Sequence, residues 1–525
     1  MASQQFRRVL TDRVWNTHRP KRGVVSASLL IGSVIFVIAG KLTGQPPAFS
    51  GTFIPNGTSF LNPGGASETY SSVSGGIDET GPFFQSLGTN GRSCATCHQP
   101  SDGMSVSALN VSLRFLQTQG LDPIFRPVDG SNCDHNIDVS TVSGRYDAYS
   151  LLRTRGLIRI AIAMPANADY AVTAVSNPYG CNETNVISQY RRPLPATNLP
   201  FLTTVMWDGR ESTPLTGTTK IQFANYPSSV QSDLAHQSVD ATVGHAQGDG
   251  TRPTPAEQQA IVNFEMALFT AQSFGLRTGP LNTNGANGGP APLLTLPFFI
   301  SINSSVHALL PNGPEQPGGL VAPGDSQFTS NIFDLFNAWS GYPSYDFRAS
   351  VARGQNIFNT RPITITGVAG INDDVSQGGL VSGGIPSLTG TCGTCHDTPN
   401  VGNHSFPTPL NIGTGDPSTS NSSLNLGQLD ISYLPQITVC QLVNGLPSSN
   451  CKTTSDLGQA LIDGQFAHAG KIKGPILRGL SARAPYFHNG SARTLLDVVH
   501  FYEKRFGLVF SPGDELDLFN FLSVL

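Results

Sequence analysis

Long polar stretches alternate in this chain with a few segments of helical periodicity. Residues 1–23 are polar and basic, with Arg7, Arg8, Arg13, Arg19, Lys21 and Arg22 against the single acid Asp12. An unbroken apolar run follows over 24–40, at seventeen residues between a signal-peptide core and a minimal membrane span. Basic residues ahead of such a run keep that end cytoplasmic, so everything beyond residue 40 is expected to be exported. The run is then either cleaved near Ala39 or kept as a single-span membrane anchor. Residues 41–80, rich in Gly, Ser, Pro and Thr, read as a flexible linker. Further on, apolar positions 261, 264, 268 and 269 share one face of a helix that starts at Pro255 with Thr254 as N-cap. Helical patterns recur near 328–339, at Arg348–Phe358, and over 493–505 and 512–523. The intervening segments 124–150, 165–200 and 279–327 are polar and aperiodic, and strand signals are sparse. The expected fold is mainly α, with an N-terminal domain over 81–340 that carries long loop insertions and a C-terminal domain over 341–525.

Composition narrows the partners. Of 31 basic and 35 acidic residues, six and one lie in residues 1–23, so the remainder carries 25 and 34, a formal charge of −9. That argues against nucleic acid and permits a basic electron-donor protein. Charged residues are only 13% of the chain while Gly and Pro together number 94, which describes a loop-rich but folded protein.

The chemistry lies in two short runs, Cys94-Ala95-Thr96-Cys97-His98 and Cys392-Gly393-Thr394-Cys395-His396. C-x-x-C-H is the attachment signal for a c-type haem: the cysteines form thioethers and the histidine becomes the proximal ligand of the iron. Zinc would need further soft ligands, and neither run has another cysteine within thirty residues. Two covalent haems are expected, one in each cytochrome c-like domain, on Cys94, Cys97 and His98 and on Cys392, Cys395 and His396. The other four cysteines suggest the pairs Cys133–Cys181 and Cys440–Cys451, which avoid crossing the haem segments, although four cysteines allow three pairings. Disulfides and covalent haem both imply an oxidising, periplasmic compartment.

Three further blocks follow the family order of a known group. Met206-Trp207-Asp208-Gly209-Arg210 lies between the two C-x-x-C-H runs. Lys473-Gly474-Pro475-Ile476-Leu477-Arg478-Gly479-Leu480 and Ala484-Pro485-Tyr486-Phe487-His488-Asn489-Gly490-Ser491 follow the second. Together they resemble the bacterial diheme cytochrome c peroxidase and MauG family over most of residues 80–525. The resemblance implies a first haem that reacts with hydrogen peroxide or dioxygen and a second that passes electrons. It also implies a bridging role for Trp207, a small electron-donor protein such as a cytochrome or cupredoxin, and in many members a calcium held between the domains by backbone oxygens. Reduction of peroxide is the default reaction; a MauG-like oxidase or oxygenase and a non-enzymatic electron carrier are the alternatives.

Departures from the family pattern are informative. Its peroxidases ligate the second haem with a methionine fourteen residues past the P-Y-F-H histidine, a position held here by Tyr502. The methionines are Met1, Met104, Met164, Met206 and Met266, none in the C-terminal domain. Tyrosine at the matching position is the MauG pattern, and a hard anionic phenolate favours ferric iron over a His/Met site. His500 and His488 compete with Tyr502 as ligands. On the first haem, the segment where the peroxidases place a glutamate has none, leaving His245 and Gln247 as the candidate acid/base or iron-capping groups. Arg210 and Arg478 suit haem propionates, and His404 is a further candidate for such a contact.

Overall fold

The computed structural model describes residues 52–202, 204–212, 228–296, 333–372, 386–396, 409–417 and 429–525; the apolar run at 24–40 and His404 lie outside them. Helices make up 32% and strands 21%, with several antiparallel sheets, so the fold is mixed α and β and the expectation of a mainly α protein is overturned. No helix among the described residues is long and apolar enough to cross a membrane.

Much of the unforeseen β structure begins where a linker was expected. Residues 53–78 form β1 (Phe53–Pro55), β2 (Ser59–Asn62), β3 (Gly65–Ser71) and β4 (Gly76–Asp78). β3 pairs antiparallel with β8 (Leu268–Gly275), which pairs in turn with β9 (Gly279–Pro280); β8 replaces the last turn expected for the helix from Pro255. The hydrophobic pattern missed this sheet because its inner positions are polar: Ser67, Thr69, Ser71, Thr270 and Gln272 are all buried. Thr270 Oγ1 meets Thr69 Oγ1 at 2.8 Å and Thr197 Oγ1 at 2.9 Å. Hydroxyls that satisfy one another can fill a core, yet they read as loop in sequence.

A second sheet ties the two halves of the chain together. β6 (Tyr170–Ser176) pairs with β12 (Gln436–Val443), which pairs in turn with β13 (Leu446–Thr454). Cys440 faces Cys451 across that hairpin and the two are disulfide-bonded, as are Cys133 and Cys181, the pairings the sequence suggested. Residues 52–525 accordingly form a single unit. Smaller ribbons join β5 (Ile158–Ala163) to β7 (Val186–Arg191) and β10 (Ile363–Thr366) to β11 (Ser387–Gly390).

Six helices exceed ten residues among the described residues: α1 (Ala108–Thr118), α2 (Ser228–Gly244), α3 (Pro255–Met266), α4 (Phe347–Thr360), α5 (Leu495–Phe506) and α6 (Pro512–Leu522). The pattern near 328–339 yields only the 3-10 turn Asn337–Trp339 within the described residues. α3 and α6 open alike. Thr254 and Ser511 are N-caps in capping boxes with Glu257 and Asp514, and Pro255 and Pro512 take the first helical position. α4 and α6 cross where Gly354 gives no side chain; a Cβ there would lie 2.0 Å from the Asp517 carbonyl oxygen.

Candidate functional site

The two C-x-x-C-H runs are shaped by the same local device. In the first, the Ser93 amide donates to Thr96 Oγ1 at 2.9 Å, capping the 3-10 turn Cys94–Thr96. In the second, the Thr391 amide donates to Thr394 Oγ1 at 2.8 Å over the helical turn Cys392–Cys395. One tight turn brings each cysteine pair to one face. All four cysteines are free thiols, unlike the other four in the chain. Burial pushes the thiols of Cys94 and Cys392 up to about 12.

Each histidine is backed by aromatic rings. His98 and Phe83 lie 6.2 Å apart between centroids, and Phe83 packs on Phe264 of α3 at 4.7 Å. His396 repeats this with Phe358 at 6.3 Å, and Phe358 packs on Phe521 of α6 at 5.6 Å. His98 Nδ1 lies 3.1 Å from the Met104 carbonyl oxygen. Nδ1–H donating there fixes the tautomer and leaves the Nε2 lone pair available to a metal.

Each run opens into a cavity. The first, of about 150 Å³, is lined by Cys94, Cys97, His98, His245 and Arg210. The second, of about 230 Å³, is lined by Cys392, Cys395, His396, His488 and Tyr502, with apolar walls from Ile363, Leu388 and Val499. Arg192, Pro193, Pro195 and Trp207 line both, so the cavities share a wall. Trp207 stands at the tip of a turn closed by bridge pairing of Val205 with Glu211, with Met206 at φ 67° and Gly209 at φ 72°. Its indole N–H donates to the Arg192 carbonyl at 2.7 Å. Beneath it, buried Arg191 is held by Asp208 at 2.5 Å and by Asp456 at 2.7 and 2.8 Å.

The remaining sequence candidates divide. Tyr502 is on the second cavity wall, and burial pushes its phenol well up. His500 is not; it lies 3.4 Å from Glu515 on α6. His245 Nδ1 is bonded to Asp129 at 2.5 Å, and Asp129 also binds Arg92. Gln247 is exposed, with φ 54°, and only its carbonyl is engaged, by Thr89 Oγ1 at 2.9 Å. Arg210 borders the first cavity beside Asp208, at 3.3 Å. Arg478 lines neither cavity and lies over the Phe333 ring, 5.3 Å from its centroid. The clusters of metal-ligating side chains among the described residues are Cys133–Asp134–His135–Cys181, Glu211–His236–Asp240 and His500–Glu503–Glu515. None borders either of these two cavities.

Sequence reasoning missed three cations around the second cavity, of which Arg192 also belongs to the shared wall. Arg192, Arg483 and Lys473 are buried and line the second cavity. Their side chains donate to carbonyls: Arg192 to those of Arg155, Val106 and Arg483, Arg483 to those of Ile476 and Arg478, and Lys473 to that of Gly474. None has a carboxylate at ion-pair distance among the described residues. Burial pushes Lys473 down to about 8, Arg483 to about 9 and Arg192 to about 10. Buried cations without counter-anions call for an anionic ligand. Two neutral thiols, an imidazole, apolar walls and such cations fit a flat macrocycle with two carboxylates, attached by thioethers. The signal in sequence was faint, since Arg192 and Lys473 are merely the basic residues fifteen before Trp207 and His488. Comparison with protein-family models and with curated proteins gave no match for this chain.

Proposed function

We propose that this chain is an extracytoplasmic diheme c-type cytochrome that reduces hydrogen peroxide to water. The observation that carries the reading is Trp207 in the wall shared by two cavities, each bordered by one C-x-x-C-H run. A c-type haem in each would supply a one-electron centre, and the one in the first cavity would supply the iron chemistry that reduces peroxide. Cys94, Cys97 and His98 would hold one; Cys392, Cys395, His396 and Tyr502 would hold the other. Arg192, Arg483 and Lys473 would bind carboxylates at the junction. His245, oriented by Asp129, is the group suited to move protons on peroxide oxygen in the first cavity. Trp207 bridges the cavities, and a small donor protein supplies two electrons for each peroxide consumed with two protons. Tyr502 on the second cavity wall favours a second reading, a MauG-like oxidase acting on a protein or organic substrate.

The test is the spectrum of the ferric holoprotein, with and without reductant and CO. One high-spin haem that binds CO when reduced, together with peroxide-dependent oxidation of a reduced donor, is the expected result. Two low-spin haems that ignore CO would reject an enzyme in favour of an electron carrier.

A further inference from the structure

The proposed reaction leaves one buried acid on α3 unused. Glu265 borders the first cavity, is 6% exposed, and its Oε2 has no hydrogen-bond partner among the described residues. The likeness of α3 to α6 identifies its counterpart. From the caps Thr254 and Ser511, Ile261 matches Leu518, Asn263 matches Asn520, Phe264 matches Phe521, and Glu265 matches Leu522. Ile261 borders the first cavity, and Leu518 and Leu522 border the second. Packing at this helix position is therefore met by leucine, and a lone buried carboxyl is costly. Burial alone pushes Glu265 up to about 8; positive charge on an oxidised redox group in the same cavity would draw it down again, so the carboxyl can be ionised before reduction and protonated after it.

Of the other titratable groups facing the same space, Arg191 is paired with Asp208 and Asp456, and Arg192 is a cation that donates to the carbonyls of Arg155, Val106 and Arg483. Cys97 is a buried thiol, and the rest are engaged elsewhere or are neutral. Cys94 is a buried thiol, His98 is bound to the Met104 carbonyl, Arg92 and His245 both hold Asp129, and Arg210 faces Asp208. On α2, packed against α3, Asp233 is buried and His236 binds Glu211 at 2.8 Å. The 3-10 turns Pro82–Phe84 and Leu199–Phe201, also against α3, bring no titratable side chain.

We infer that Glu265 is the proton-holding group of the first cavity, gaining one proton when the redox group there gains one electron and losing it when that electron leaves. This rests on the haem reading above. The electron comes from a reduced donor protein, or from a mediator in vitro. The proton comes from hydronium in bulk solvent, whose O–H bond breaks as the O–H bond on the Glu265 carboxylate forms, and the exchange reverses when the electron leaves. Adding negative charge inside a cavity of low dielectric disfavours a second anion there, so the proton follows the electron.

The test uses the full-length holoprotein. Intact mass first establishes haem on the motif cysteines, and the midpoint potential of each haem is then titrated from about pH 6 to 9. The potential of the first haem should fall with rising pH toward about 59 mV per unit, the equivalent of tenfold in proton activity for one electron. Glu265→Gln, and Glu265→Leu with the counterpart's own residue, should flatten that slope and leave the second haem unmoved. A flat wild-type profile, or a slope that survives in both variants, overturns the inference. The redox-difference infrared spectrum of the unmodified protein gives an independent reading. A protonated-carboxyl band should grow on reduction, and its absence likewise overturns the inference. Protein without haem on the motif cysteines would overturn the haem reading itself, and this inference with it.

Discussion

The indole of Trp207 and the imidazole of His488 meet edge to face, centroids 6.0 Å apart, as equivalent residues of two copies of one backbone motif. Both lie on turns closed by a bridge pair, Val205 with Glu211 and Tyr486 with Ala492. Met206 and Phe487 precede them at φ 67° and 65°, and Gly209 and Gly490 follow at φ 72° and 66°. The tethers are exchanged: the Lys473 amide donates to the Trp207 carbonyl and the Arg192 amide to that of His488, both at 2.7 Å. Each tip is thus anchored by a residue of the segment leading into the other, and the two tips cannot move apart without breaking both bonds. A repeated frame makes its asymmetries meaningful: Trp against His at the tips, Glu265 against Leu522 on the walls.

Trp207→Phe keeps a ring at the junction and deletes the donor to the Arg192 carbonyl. The unpaired buried acceptor should cost about 1–3 kcal/mol of stability, read by urea denaturation. Electron transfer between the two centres should slow while both ferric spectra stay as in wild type. Normal turnover in this variant would exclude Trp207 as the bridge.

Tyr502→Phe is the corresponding test of the second cavity. The tyrosine sits among Phe487, Phe501 and Phe506, with centroids 5.4–6.4 Å away, so phenylalanine fits without repacking. The expected outcome is a change confined to the low-spin haem signal, with the first haem unaltered. An unchanged EPR spectrum would remove Tyr502 from the iron.

Local signals were legible in the sequence, and relations between distant segments were not. The C-x-x-C-H runs and the helices read at Pro255, Arg348–Phe358 and 512–523 carry their information within a few residues, as spacing, a cap at Thr254 and apolar faces, while the two disulfides were suggested by the order of the cysteines along the chain. The sheets hid because Ser67, Thr69 and Thr270 fill core positions with hydroxyls. The repeated turns hid because residues 192–211 and 473–492 share only Leu199/Leu480 and Gly209/Gly490. Positive φ and exchanged tethers define that motif, and both depend on backbone. No single period exposes the duplication either: the offset is 298 residues at the cysteine runs, 281 at the turns and 257 at the helices. Glu265 escaped because a lone acid on an amphipathic helix reads as its solvent face, and Arg478 lies over the Phe333 ring, a contact with no local signal in the sequence.

The two disulfides should differ in value. Cys133 and Cys181 are 48 residues apart, and chain-entropy reasoning gives about 4 kcal/mol for that loop. Cys440 and Cys451, 11 apart, would give about 3 kcal/mol, but the β12–β13 ladder already closes their hairpin. The double Cys→Ser replacement at 133 and 181 should therefore lower the urea midpoint more than the one at 440 and 451. The reverse order would place the dominant constraint on the hairpin.

Acid stability should depend on the buried charges below Trp207. Burial raises the carboxyls of Asp208 and Asp456, but the guanidiniums of Arg210 and Arg191 at Asp208, and of Arg191 at Asp456, outweigh it and hold both below the usual range. Their folded-state values thus lie under the unfolded aspartate value of about 3.9. The stability they contribute is complete above that pH and is lost as pH falls through the folded values. Asp456→Asn removes the partner that Arg191 contacts twice, leaving a buried cation with Asp208 alone. At neutral pH this should cost about 3–5 kcal/mol, and the variant should lose less than wild type on further acidification below about pH 4. Urea denaturation at neutral and acid pH measures both. Equal stability at neutral pH would mean that water or rearranged carbonyls replace Asp456, and that the ion pairs do not fix the Trp207 turn.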